Sequence, residues 1–409
     1  MAADRREDAR YFIALLDAFA REAPPPCRPD ADWEALTDWG ERHGVAGILG
    51  FVADHMPAAG GPPPAVRQRL TERWQQTVVT LARQEYATEE LLAAFDRGKL
   101  PRVPMKGYVL REYYPVPELR TFGDVDLLIR EEDRERADEL MRREGFACTD
   151  KSGTVYTYRR GPYRYELHTR LIPDGFSRID PDRLPDPWEH TVQADGPYGY
   201  RFAPSFHLLY LLLHLCKHLI GNGAGVRMWL DIALLLRRET ELDWGWIRQY
   251  LQELRLTAFA DAVFGICQRW FHTPPPYALS PLPEETYAAL AREILQAGTF
   301  GKTERNMAVS RLRQQTGRGG DRGARLRALG QFVFPPYRQL KGQYPFLEGR
   351  PWLLPVGWCR RYADGVFHRR KKAAGILHGL FREGDAARAQ YRLFSELGLT
   401  GEESPDKIR

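Results

Sequence analysis

The chain has 409 residues, 43% hydrophobic and 28% charged, with a formal net charge of +5; this leaves room for two or three domains with sizeable cores and excludes a wholly disordered or fibrous polypeptide. Its five cysteines, Cys27, Cys148, Cys216, Cys267 and Cys359, are scattered and never in Cys-x-x-Cys spacing, which argues against a disulfide framework or a zinc site and points to a reducing, cytoplasmic location. The N-terminus, MAADRREDARYFIALL, lacks the plan of a secretory signal, and the longest apolar run, Leu208 to Ile220, is interrupted by His214, Lys217 and His218 and too short to span a bilayer.

Residues 1–97 read as a helical region. Tyr11, Phe12, Leu15, Leu16 and Phe19 follow helical spacing, Asp32 stands where it can cap a helix from Trp33, and an apolar helix follows around Val45 to Val52. Pro57 and the run Gly60-Gly61-Pro62-Pro63-Pro64 break the chain before a long amphipathic helix, about Ala65 to Arg97. Residues 98–200 alternate strand and helix. Val103 to Met105 predicts a strand, Tyr108 to Tyr113 a helix ended by Pro115 and Pro117, and Asp124 to Arg130 a second strand. Glu132 to Glu144 predicts a charged helix closed by Gly145, and Thr154 to Arg170 a hairpin turning at Gly161-Pro162.

Residues 201–298 return to helix, with Ser205 expected to cap Phe206 to His218, a helix over Arg227 to Arg238, and Asp243 capping Trp244 to Leu254. Residues 299–409 form a basic C-terminal region: between Lys302 and Lys372 there are 17 Lys and Arg against four acids. Glycine and proline interrupt it at GRGGDRG and FPPYRQ, suggesting a flexible arm or a loosely packed basic subdomain. Tyr337, Tyr344, Phe346, Trp352 and Trp358 are interleaved with that charge, a pattern suited to RNA or an acidic peptide partner, although Arg-rich helices are often only solvated faces.

Chemistry concentrates between Pro104 and Ile129. The strand ending at Lys106-Gly107 stops at a glycine, where the backbone can approach a bulky anion. Asp124-Val125-Asp126 lies in an apolar run with a strand's period, so both carboxylates project to one face. Adjacent carboxylates repel, and a hard divalent cation, Mg²⁺ or Mn²⁺, is the natural partner for such a pair.

A glycine turn, a helix and an Asp-x-Asp strand form a pattern similar to the nucleotidyltransferase fold shared with DNA polymerase beta. More closely, Met105-Lys106-Gly107, Tyr114-Pro115, Arg120 before Gly123-Asp124-Val125-Asp126, and Tyr165-Glu166-Leu167-His168 resemble the bacterial uncharacterised nucleotidyltransferase family over roughly residues 30 to 300. The resemblance implies an α+β protein, with a small mixed-sheet palm flanked by N-terminal and C-terminal helical regions. It also implies transfer of an NMP from an NTP such as ATP to an acceptor hydroxyl or phosphate, with Mg²⁺ or Mn²⁺ on Asp124, Asp126 and a third carboxylate from a neighbouring strand, for which Glu166 is best placed.

Lys106 and Gly107 would then meet the triphosphate, and His168, on the same strand face as Glu166, would shape the pocket or shuttle a proton. Arg120 would clamp a phosphate oxygen or brace Asp124. This chain has Gly107-Tyr108 where many members of the wider fold have Gly-Ser or Gly-Gly. His214 and His218 stand one helical turn apart, as do Arg227 and Asp231 on the next helix. The histidines have metal-binding spacing but no intervening Glu, so structural histidines are the commoner outcome, and the Arg and Asp would pair with each other or reach them. The resemblance assigns all four to supporting the pocket. The acceptor is left open among small molecule, peptide and RNA, and two other readings remain: a kinase that moves the γ-phosphoryl group on the same fold, and a non-catalytic peptide- or RNA-binding protein.

Overall fold

The computed structural model describes residues 3–172, 179, 183–194, 196–221, 223–298, 334, 337–340, 344–347, 349–368 and 384–400. Four helices come first: α1 (Ala3–Ala20), α2 (Trp33–His43), α3 (Ala46–Asp54) and α4 (Pro64–Arg97). Asp32 caps α2 as its sequence position predicts, its Oδ1 accepting from the Ala35 amide at 3.0 Å. Helix α4 has 34 residues, about 50 Å at 1.5 Å per residue, long enough to serve two cores. Its first turns place Val66 and Leu70 in the helical core, and its last turns place Leu91, Ala94 and Phe95 beneath the sheet. Helices α3 and α4 approach so closely that a Cβ on Gly50 would lie 2.2 Å from the Leu70 carbonyl oxygen, which restricts that position to glycine.

The middle of the chain builds a five-stranded mixed sheet in the order β1-β2-β5-β4-β3. Its strands are β1 (Val103–Met105), β2 (Val125–Leu128), β3 (Ala147–Ser152), β4 (Val155–Arg160) and β5 (Tyr163–His168), with the short helix α5 (Gly107–Leu110) after β1 and α6 (Arg134–Arg143) after β2. Strand β1 runs antiparallel to β2, β2 runs parallel to β5, and β5, β4 and β3 form an antiparallel meander. The β4–β5 hairpin turns at Gly161-Pro162 as expected. Strand β3, with the sequence ACTDKS, was not foreseen, because it has no apolar alternation to mark it. The expected helix over Tyr108 to Tyr113 is α5 followed by a 3₁₀ turn at Arg111–Tyr113. A separate two-stranded ribbon, β6 (Thr191–Gln193) with β7 (Tyr200–Phe202), was also missed.

Period-two alternation gives this sheet two different faces. Val125, Leu127, Tyr165 and Leu167 turn toward α4 and α6 and bury with Phe95, Leu140 and Met141. On the other face Val103, Met105 and Leu128 pack against Phe202, Phe206 and Tyr210, and the polar side chains of β2 and β5 share that side.

Helices α7 (Pro204–Gly221), α8 (Val226–Arg238), α9 (Trp244–Glu253), α10 (Thr257–Phe271) and α11 (Glu284–Gln296) follow. Residues 1–97 and 201–298 contribute to one hydrophobic core, in which Phe12, Leu15, Leu212, Trp229, Phe259 and Phe264 are fully buried; each such side chain contributes about 1.5–3 kcal/mol. Asp243 caps α9 through Oδ1 and the Trp246 amide at 2.9 Å. Ser205 does not cap α7, which already begins at Pro204; its Oγ instead accepts from the Asp243 amide at 2.8 Å and ties the start of α7 to the start of α9.

In the basic C-terminal region, helices Leu354–His368 and Gly384–Glu396 are described, and Leu393, Phe394 and Leu397 join the main core. GRGGDRG and most of the expected basic stretch lie outside the described residues. Among the described residues, no helix is long and apolar enough to cross a membrane.

Candidate active site

Asp126 lies opposite Glu166 and Leu128 opposite His168 in the parallel β2–β5 register, while Met105 of β1 lies opposite Asp126 from the other side. One donor atom each from Asp126, Glu166 and His168 lies within 4.8 Å of the other two. Asp126 is 3% exposed. Its Oδ1 accepts from two donors, Lys106 Nζ at 2.5 Å and His168 Nε2 at 2.7 Å. An ionised carboxylate can only accept, so the Nε2 atom facing Asp126 carries the proton. Glu166 is held by Arg164 Nη2 at 2.5 Å on Oε1 and lies 3.5 Å from His168 Nε2 through Oε2.

The electrostatics follow from that geometry. Burial alone would raise the Asp126 carboxyl, but Lys106 and His168 outweigh it and hold the group below the usual carboxylate range. Burial likewise opposes the Lys106 ammonium, yet Asp126 keeps it above the usual lysine range. The Glu166 carboxyl is lowered, chiefly by its hydrogen bond with His168. Asp124, partly exposed at the mouth of β2, is not one of the three clustered donors; its carboxyl is pushed up to about 6 by burial and then by the charges of Asp126 and Glu166.

The Lys106-Gly107 bend is built differently from the expectation of an open anion cradle. Lys106 has φ +54° and ψ −129°, a left-handed conformation that costs a non-glycine residue about 1–3 kcal/mol; the strain turns the chain from β1 into α5 while the ammonium lies against Asp126. Gly107 is buried, and a Cβ there would lie 2.5 Å from Phe122 Cβ and 2.9 Å from Arg120 Nη1. Packing against those two side chains accounts for the glycine.

Arg120 neither braces Asp124 nor offers its fork to a phosphate. It is buried in a bidentate pair with Asp231, Nε to Oδ1 at 2.9 Å and Nη2 to Oδ2 at 2.6 Å, and the Tyr114 hydroxyl donates to Oδ1 at 2.7 Å. Asp231 therefore pairs with Arg120 and not with Arg227, one turn earlier on α8. Arg227 donates through Nη1 to Thr121 Oγ1 at 2.7 Å, and its buried Nε has no partner.

Helix α7 covers part of the site. Tyr210, His214 and His218 recur at one-turn spacing, with ring centroids 6.0 Å and 4.5 Å apart. Burial, then His218 and Lys106, pushes His214 well below its ordinary value, and burial, then Lys217 and Lys106, takes His218 down to about 4. Both shifts favour the neutral form of the imidazole. Tyr210, one turn before His214 on this helix, has no assignment from the sequence, although the same helical spacing points to it.

Together these features define a carboxylate and imidazole centre on one face of a mixed sheet, a donor set suited to cation-assisted phosphoryl chemistry. Residues 29–272 match the family described as uncharacterised nucleotidyltransferase, and the chain belongs to that family. No curated protein matches it. The crystal structure of the Megavirus polyadenylate synthase is similar over 49% of this chain and 44% of that chain, with 14% identity and a TM-score of 0.28; a likeness that distant carries no argument about activity.

Proposed function

We propose that this protein is a divalent-metal-dependent nucleotidyltransferase that moves an NMP from an NTP to an acceptor hydroxyl or phosphate. The observation that carries the reading is the register of β2 against β5, which gathers Asp126, Glu166 and His168 on one face in a chain of this family. The donor set fits a metal: two carboxylates and one imidazole converge, and the cation now lying on Asp126 Oδ1 is a lysine ammonium. Mg²⁺ or Mn²⁺ held by Asp126, Glu166 and His168, with Asp124 alongside, would neutralise charge developing on the phosphates. Mn²⁺ suits the mixed oxygen and nitrogen donors better than Mg²⁺.

The remaining roles belong to the chain itself. His168 donates to Asp126 through Nε2 in the metal-free site, and to hold the ion that nitrogen would give up its proton and offer its lone pair. Lys106 is a point charge on Asp126 that would pass to a phosphate oxygen when a metal ion takes that carboxylate. Asp124, partly exposed at the rim with its carboxyl pushed up to about 6, takes the proton of the acceptor hydroxyl as that oxygen attacks the α-phosphorus and pyrophosphate leaves. ATP is the first nucleotide to try, and the acceptor classes to screen are small molecules, peptides and RNA.

Incubation with α-labelled and γ-labelled ATP and an acceptor panel tests the reading. Label from the α-position alone should reach the acceptor, and Asp126→Asn should lower the rate by more than about 100-fold, beyond the 10–100-fold typical for residues that only support a metal ligand. Transfer of the γ-label would make the enzyme a kinase, and undiminished transfer by Asp126→Asn would remove the site from the chemistry.

A further inference from the structure

Backbone pairing along the outer edge of β1 runs through Arg102, which donates to the Tyr198 carbonyl at 3.0 Å and accepts from the Tyr200 amide at 2.9 Å. Pro104, two residues on, has no N–H with which to continue it. A cavity of about 90 Å³ lies there, walled by β1, the 3₁₀ turn after α5, β7, the start of α7 and the end of α8. Its polar lining is Glu112, Tyr113, Arg201, His207 and Glu239; none of Asp126, Glu166 and His168 borders it.

His207 is 4% exposed, its ring centroid lies 6.2 Å from those of Tyr113 and Phe202, and its Nε2 has no hydrogen-bond partner among the described residues. A buried ring nitrogen left without a partner is destabilising. Burial takes this imidazole down to about 4, and a neutral ring can turn a lone pair to the cavity. Glu239 closes α8, its amide donating to the Leu235 carbonyl. Its Oε1 accepts from the Tyr113 hydroxyl at 2.8 Å, while Oε2 has no hydrogen bond among the described residues. Glu112 and Arg201 are exposed and stand at the mouth.

Two helix ends sort these charges. Helix α8 ends on the wall at Glu239, so its negative pole and that carboxylate act together, whereas α7 begins on the wall at Pro204, just after Arg201, and joins its positive pole to a guanidinium. A cavity with one pole of each sign matches a ligand with one charge of each sign. Among the described residues only Asp126, Glu166 and His168 have the donor spacing of a metal site, so Glu112, Glu239 and His207 do not form one. The volume is several times the roughly 10–15 Å³ that one water needs and well below the roughly 300–1,000 Å³ of a drug-sized pocket, which restricts the ligand to a few carbon atoms.

We infer that this cavity binds a small zwitterionic amino acid, its ammonium on Glu239 and the His207 Nε2 and its carboxylate on Arg201. The site is separate from the carboxylate centre and does not depend on the nucleotidyltransferase reading.

Calorimetric titration of the full chain without nucleotide tests it, with glycine, L-alanine, L-serine and β-alanine as probes and ethylamine and propionate as singly charged controls. At least one amino acid should bind wild type, and about tenfold or more tighter than either control, the equivalent of one charge-assisted contact. Glu239→Gln, which keeps an oxygen for Tyr113, and Arg201→Gln, at an exposed position, should each weaken that binding by about tenfold or more. Arg201→Gln carries the test alone if Glu239→Gln lowers the melting temperature. No binding by any of the four amino acids would overturn the inference, as would equal affinity for ethylamine or propionate, or unchanged affinity in Arg201→Gln. Full α-transfer by Asp126→Asn would sink the catalytic reading and leave this result standing.

Discussion

Two buried ionic clusters lie close together in this molecule and are built from similar side chains to opposite ends. In the Arg120–Asp231–Tyr114 cluster, both carboxylate oxygens are taken by a guanidinium fork and a phenol. In the Lys106–Asp126–Glu166–His168 cluster, two donors share a single oxygen of Asp126, and a further carboxylate, Asp124, is held near neutrality at the rim. The first is closed and joins the sheet region to α8. The second is left under-neutralised for something to bind, the condition expected of a catalytic centre rather than a structural one.

The sharpest break of that contrast is Asp231→Ala. It strands the buried Arg120 guanidinium, and a loss of about 3–5 kcal/mol in chemical denaturation is expected, whereas Asp126→Asn should cost activity out of proportion to stability. A loss below 1 kcal/mol would show that the closed cluster is not structural. Next in size is an effect of acid. Burial takes His43 and His207 from 6.5 down to about 4, so between those values the unfolded chain binds protons that the native one refuses. Their contribution is intact above pH 6.5 and is lost as pH falls toward 4, by roughly 3 kcal/mol for each. Denaturation midpoints measured across that window in His43→Gln and His207→Gln should be flatter than in wild type.

Smaller effects separate packing from binding at the bend between the clusters. Gly107→Ala drives a methyl into Phe122 and Arg120 and should cost about 1–3 kcal/mol as overpacking, read as a lower melting temperature with nucleotide affinity reduced only in step. A large affinity loss without destabilisation would return Gly107 to a phosphate-binding role. The smallest effect is at the far end: Asp32→Ala removes the cap of α2 and should cost about 1 kcal/mol with no change in activity, a control for damage remote from either cluster.

Much of the open cluster was legible in the sequence and little of the closed one was. Asp126, Glu166 and His168 follow from period-two alternation in two recognisable strands, and only their register needed the structure. Alternation expects Asp124 on the face of Asp126, yet the clustered donors are Asp126, Glu166 and His168, and Asp124 stands just before β2 begins. The Arg120–Asp231 pair joins residues 111 positions apart, and no local pattern reveals such a contact. Strand β3 was hidden by its polarity, and the role of Gly107 by an environment supplied from Phe122 and Arg120. Local period identified the elements, while long-range packing decided which charges were already satisfied.

Titration of Mn²⁺ in the presence of ATP, followed by electron paramagnetic resonance of the free ion, tests the central claim most directly. Wild type should take up the ion with an affinity that falls by more than about tenfold in Asp126→Asn and again in Glu166→Gln, while Asp231→Asn, if folded, leaves it within about twofold. Equal Mn²⁺ uptake by wild type and Asp126→Asn would contradict the account.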